Sequence, residues 1–149
     1  MQHLEHAPHG GEIGENGLRY RGGEFVPFYK PRPLMPQVDD KAYPAMRLWL
    51  TENAIPFFTE AVDAWTLHPH QRIDAVKAAN IPDSVLAIPL LVSRGGFILD
   101  GNHRWLAHLE RGKPCEVIRI GLPFDDAIAA LFKFLGEQPS ATLAKELSL

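Results

Sequence analysis

Cysteine is almost missing from this chain: Cys115 stands alone among 149 residues. A single thiol excludes an internal disulfide framework, argues against a thiolate zinc site within one chain, and fits a reducing compartment. Long hydrophobic runs are missing too. No apolar stretch approaches the roughly 18–20 residues a membrane helix needs, and the N-terminal residues lack the apolar centre of a signal peptide. The expectation is a cytoplasmic protein with no membrane partner. Nor does charge of one sign dominate. Fifteen basic against eighteen acidic side chains give a formal charge of −3, so no global field drives the chain onto nucleic acid, and any such site has to be local. P-loop, nucleophile-elbow and zinc-protease spacings are absent, as is any internal repeat.

What is present suits one folded domain. A chain of this length can bury roughly 68–70% of the surface its unfolded form exposes, and eight Phe with three Trp supply bulk for a core. Thirteen prolines stand mostly at apparent element boundaries, where a fixed φ and a missing donor do least harm. Residues 1–24 are glycine-rich with few large apolar groups, which predicts a flexible arm, and His3, His6 and His9 within it read as solvated rather than metal-binding. Residues 25–138 are expected to form the domain and 139–149 a tail, with Leu143 and Leu147 suited to one further helical turn. Phe25, Val26, Phe28 and Tyr29 bracket Pro27 and predict an edge strand or extended segment.

From Tyr43 onward the spacing is helical. Met46, Trp49 and Leu50 share one face; Phe57, Phe58, Ala61, Val62 and Trp65 repeat at similar separations beyond Pro56, predicting a second helix whose aromatics belong to the core. Pro69 suits the first turn of a third helix, with Ile73, Val76 and Ala79 on one face and an end near Asn80. Val85 to Val92, then a turn at Ser93–Gly96, then Phe97 to Leu99 reads as strand, turn, strand. Asn102 is the expected N-cap of a helix closing at Gly112. Cys115 to Ile120 is another strand, and Pro123, Asp125 and Asp126 open a last helix that Gly136 should stop. The fold class expected is α+β, a small mixed sheet with packed helices. His68, His70 and His108 are expected at the surface or in caps rather than as ligands.

The stretch with most chemistry is Phe97 to Arg111, where a strand passes through Gly101 into the start of a helix. The first N–H groups of a helix and the positive end of its dipole favour an anion, phosphate above all. His103 and Arg104 add donors suited to phosphate oxygens, Gly101 lets the backbone turn sharply and approach a ligand, and Asp100 could accept a proton or hold magnesium. The competing reading is a capped strand-to-helix turn, with Asp100 and Asn102 satisfying the helix start and His103 and Arg104 merely solvated.

Ile88-Pro89-Leu90, then Phe97 through Ala107 with Asp100-Gly101-Asn102-His103-Arg104 at its centre, then Gly112 and Val117-Ile118, resemble the ParB/sulfiredoxin-like superfamily over roughly residues 67–120. In that family a strand leads through D-G-x-H-R into a helix. The resemblance implies a small α+β domain with a phosphate-binding turn at this helix N-terminus. It does not fix the chemistry, because members include nucleotide-dependent partition proteins, sulfiredoxins, free-serine kinases and ParB-like nucleases. Sulfiredoxin chemistry uses a cysteine where this chain has Asn102, and partition proteins carry a more arginine-rich turn with additional domains. Free-serine kinases come nearest, with a second histidine in place of Asn102.

Three functions follow as expectations. The first is a protein that binds ATP, ADP or CTP, or a phosphorylated small molecule, and carries out phosphoryl transfer or nucleotide hydrolysis with Mg2+. In it Gly101, Asn102, His103 and Arg104 bind phosphate, Asp100, His103 and Arg104 serve the reaction, and Asp100 is the metal ligand or base. Glu52, Glu60 and Asp63 are candidates by elimination for a further base. The second is a ParB-like DNase or DNA-binding accessory protein of a phage or mobile element, using a basic face of Arg72, Lys77, Arg94, Arg104, Arg111, Lys113 and Arg119. The third is a non-catalytic module in which nucleotide switches a partner surface.

Overall fold

A computed structural model describes residues 32–70 and 73–138, together with the backbone of four short strands before them. Those strands, β1 (Glu5–His6), β2 (Glu12–Ile13), β3 (Leu18–Arg21) and β4 (Glu24–Pro27), pair antiparallel in chain order. The first three lie inside the segment expected as an arm, and β4 takes the edge position expected around Pro27. The rest of residues 1–31 and the tail from 139 onward, including Leu143 and Leu147, lie outside the described residues.

Helix α1 (Tyr43–Glu52) forms as the spacing predicts, with Pro44 in its first turn and Tyr43, Met46, Trp49 and Leu50 buried on one face. It stops where Asn53 donates its side-chain amide to the Trp49 carbonyl and Ala54 turns to φ 56°. The predicted second helix is not there. Phe57–Val62 is a strand, β5, and all six of its residues pair antiparallel with Cys115–Ile120, which form β8. A Phe-Phe-Thr-Glu-Ala-Val segment held between Pro56 and Asp63 is short for a helix and rich in strand formers. Its partner strand lies far along the chain, beyond the reach of local periodicity. Phe58 and Trp65, expected in the core, are 52% and 56% exposed.

Pro69 does not open a helix. His68 lies extended beside Phe97, donating its N–H to the Gly96 carbonyl at 3.0 Å and accepting the Ile98 N–H at 2.8 Å. The helix begins later, as α2 (Ala75–Ala79), where the Asp74 side chain accepts from the Val76 and Lys77 N–H groups. Val85 belongs to α3 (Asp83–Leu86), so the strand predicted from Val85 shortens to β6 (Leu90–Val92), beyond Pro89. The chain then turns through Ser93–Gly96 into β7 (Ile98–Asp100) and enters α4 (Asn102–Glu110). After β8 comes α5 (Phe124–Glu137), which continues through Gly136 instead of stopping there.

The main sheet runs β5-β8-β6-β7, with β8 and β6 parallel and the other pairs antiparallel. Strand β6 and the buried residues of β8 are apolar on both faces because both are covered, while Glu116 of β8 stays exposed. Leu91, Phe97, Leu99, Ile118 and Ile120 pack in one core with α1 and α5; Leu90, Val92, Ile98, Cys115 and Val117 pack in the other with Trp105 of α4. The alternation within each strand is the period-two pleat. Trp105 is fully buried and donates its indole N–H to the Ala64 carbonyl at 2.8 Å. The architecture is thus α+β with a four-stranded mixed sheet. Among the described residues no helix is long and apolar enough to cross a membrane.

Candidate functional site

Strand β7 ends at Asp100, and Gly101 takes φ 111° and ψ 26°, a left-handed conformation that side chains resist. Gly101, not Asn102, is therefore the N-cap of α4, and Asn102 is the first helical residue. The reason is visible in the packing. Asn102 is buried and its Oδ1 accepts the N–H of buried His70 at 3.0 Å, so its side chain ties the helix start to the segment beside β7 rather than capping the helix. Gly101 is also required by space. A Cβ there would stand 2.9 Å from the Leu90 Cγ and 2.9 Å from Arg104 Nη2.

Each of the other motif side chains has a defined partner. Asp100 Oδ2 accepts the Val38 N–H at 3.0 Å, which pins the segment before α1 across the end of β7. Arg104 Nη1 reaches the Ile88 and Pro89 carbonyls at 3.3 and 3.5 Å, long contacts made by one nitrogen of a group that has five N–H donors. The Tyr43 hydroxyl donates to the same Pro89 carbonyl at 3.0 Å, and burial raises the phenol above its ordinary pKa against the opposing effect of Arg104. His103 Nε2 accepts the Asp74 N–H at 3.1 Å. That nitrogen is consequently an acceptor here and braces α4 against the start of α2, while the ring hydrogen is on Nδ1, which keeps His103 a side-chain donor.

Asp100, Gly101, Asn102, His103 and Arg104 together line a cleft of about 200 Å3. Lys77, Ile81 and Val85 form its other wall. Helix N–H bonds point toward the N-terminus, so the first turn of α4 directs its amides to this side. Sequence reading placed Lys77 only in a general basic face. The Asp74 cap, three residues before it, was the available signal that Lys77 sits one turn into a helix, but nothing local shows that α2 packs beside α4.

No family model, curated protein or solved structure matches the chain. What the cleft can do therefore has to be read from its own residues. It joins the start of a nine-residue helix with Lys77 and Arg104, and it contains one carboxylate, Asp100. Glu52, Glu60 and Asp63 are not in its lining. Glu60 is ion-paired with Arg119 at 2.6 Å and Asp63 accepts the Trp65 N–H, so both have other structural work.

Two members of the proposed basic face are committed within the domain. Arg111 bonds the Ala79 and Ile81 carbonyls and pairs with Asp83 at 3.5 Å, and Arg119 pairs with Glu60. Arg72 lies outside the described residues. His68, His70 and His108, expected at the surface or in caps, are all buried. His68 packs its ring on Phe97 and His70 packs between Phe97 and Phe124. Burial of these rings is a long-range property that no short spacing reports.

Proposed function

We propose that this protein is a phosphate-handling domain of the ParB/sulfiredoxin-like type that binds a nucleoside di- or triphosphate in the cleft at the start of α4. The observation that carries the reading is the convergence of the α4 first turn, Lys77 and Arg104 on one cleft. Backbone N–H groups and the helix dipole meet phosphate oxygens without a reorganisation cost, while a guanidinium contributes charge-assisted bonds. Ile81 and Val85 give the same cleft apolar walls, which suit an organic phosphate better than the bare ion. What supports the family part of the reading is local: strand β7 leads through Asp100-Gly101-Asn102-His103-Arg104 into α4.

Phosphoryl transfer or nucleotide hydrolysis is the chemistry such a cleft supports. Asp100 is the residue that would hold Mg2+, and the donor set fits that ion in one way: a single carboxylate, with phosphate oxygens of the ligand and water completing its shell. Among the described residues no cluster of three or more metal-binding side chains exists, so an ion would come with the nucleotide. Bound there, magnesium would offset phosphate charge. The chain's own contribution is orientation: the Val38 N–H fixes one Asp100 oxygen, Gly101 clears space, and the His103 brace sets the distance from α4 to Lys77.

The DNA-binding alternative has less behind it, because Arg111 and Arg119 are spent within the domain. Calorimetry with ADP, ATP and CTP at millimolar magnesium tests the proposal. At least one should bind with a dissociation constant between about 1 μM and 1 mM, and Arg104→Ala should weaken it about tenfold or more through loss of a charged hydrogen-bond donor. Absence of heat with all three ligands would overturn the reading.

A further inference from the structure

The main sheet has two edges, and the chain treats them differently. Beside β7 the edge is covered: His68 makes two main-chain bonds along its start, and Asp100 takes the Val38 N–H at its end. Beside β5, at the other end of the strand order, no main-chain bond of that kind is made among the described residues. Gly121 donates its N–H to the Pro56 carbonyl at 2.8 Å, and the register continues with Phe57 opposite Ile120. Bonded and non-bonded pairs alternate along an antiparallel ladder. Phe58, Glu60 and Val62 therefore turn their N–H and C=O groups toward β8, while Phe57, Thr59 and Ala61 turn theirs away from the sheet.

Open edges are ordinarily protected by a lysine, a proline within the strand or a bulge. Strand β5 has none of these: Phe-Phe-Thr-Glu-Ala-Val pairs with β8 without a register shift. Its one charge, on Glu60, is neutralised by Arg119 of the neighbouring strand. Phe58, Thr59 and Ala61 are all exposed. A regular, largely apolar edge of this kind is a template for one more strand.

We infer that β5 pairs antiparallel with β5 of a second copy about a two-fold axis at Thr59, joining the two main sheets into one. Strand β5 is complementary to itself in that register. Groups that point outward can bond only to groups that point outward, which fixes the choice of axis to a few positions. With the axis at Thr59, Phe57 faces Ala61 of the second copy, Thr59 faces Thr59, and Phe58 faces Glu60, so every outward residue of β5 is paired. An axis at Glu60 sets two carboxylates opposite each other and leaves Phe57 outside the pairing. An axis at Phe58 leaves out Ala61. Opposed threonines favour a strand pair and opposed like charges disfavour it. A strand pair this short buries less than the roughly 1,200 Å2 of a stable interface, so the dimer is reversible. The nucleotide cleft lies at the β7 edge, and self-pairing at β5 does not depend on it.

Sedimentation equilibrium of the full-length protein over a concentration series should show a monomer–dimer equilibrium with a dissociation constant between about 1 μM and 1 mM. Thr59 is exposed and its main-chain groups do not bond to β8, so Thr59→Lys and Thr59→Glu keep the fold. At low salt each variant alone should associate about fivefold or more weakly than the natural chain, because like charges meet at the axis. An equimolar mixture of the two should associate more tightly than either alone. Amide hydrogen exchange reads the same edge: Thr59 and Ala61 should be protected in concentrated protein and exchange rapidly on dilution, while Phe58 and Glu60 stay protected throughout. Self-pairing at β5 is overturned by a chain that stays monomeric up to about 1 mM, by Thr59→Lys dimerising as tightly as the natural chain, or by a mixture no tighter than its components. Protection of Thr59 and Ala61 that ignores concentration would also overturn it, by assigning the edge to another segment of the same chain.

Discussion

Replacing Gly101 with alanine perturbs the motif with the smallest possible side chain. Two costs follow from the structure. The backbone at φ 111° lies in a region where a Cβ costs about 1–2 kcal/mol. The added methyl also meets Leu90 Cγ and Arg104 Nη2, each 2.9 Å away. The arginine tip can retreat, but Leu90 is fully buried in the core beneath α4 and cannot, so overpacking adds about 1–3 kcal/mol. The sum is roughly 2–5 kcal/mol of destabilisation, a large share of the 5–15 kcal/mol typical of a domain.

Gly112→Ala is the matched control. Gly112 also has positive φ, 65°, but a Cβ there meets nothing within 4 Å, so only the backbone cost of about 1–2 kcal/mol applies. Urea unfolding of the three proteins measures both, and the Gly101 variant should lose about 1–3 kcal/mol more than the Gly112 variant. Equal losses would refute the claim that the start of α4 is packed to contact at Gly101. A retreating Arg104 should also make Gly101→Ala weaken nucleotide binding, whereas Gly112→Ala should leave it unchanged.

Asn102→Ala removes the acceptor of a buried N–H, that of His70, and should cost about 1–3 kcal/mol in the same unfolding assay. His108 is held neutral chiefly by burial, with a folded pKa below its ordinary 6.5. The unfolded chain therefore takes up a proton first as pH falls, and the stabilisation His108 gives is complete above about pH 6.5 and lost progressively below it. His108→Gln should flatten that slope in a pH series of urea midpoints. Burial raises the Cys115 thiol to about 12, so the native protein should resist thiol reagents at pH 8 and react once unfolded in urea.

Much of the site was legible in the sequence because its signals are local. Gly101 before a helical run and Gly112 after it delimit α4, and the unbroken apolar runs Leu90–Val92 and Phe97–Leu99 mark strands buried on both faces. What escaped depends on partners distant in the chain. Phe57, Phe58, Ala61 and Val62 fit a helical face and a short strand equally well, and only pairing with β8 decides between them. Asn102 reads as a cap until His70, 32 positions away, is found donating to it. The same holds for Asp100 with Val38 and His103 with Asp74: the residue types point to an anion site, while the contacts that orient them are long-range.

The central claim is that the opening turn of α4 grips phosphate, and backbone amide NMR tests it at the atoms concerned. Titrating ADP or CTP with magnesium, and then the parent nucleosides, should shift the amides of Gly101 through Arg104 and of Lys77 with the nucleotides only. Equal shifts from the uncharged nucleosides, or nucleotide shifts that bypass this turn, would contradict it.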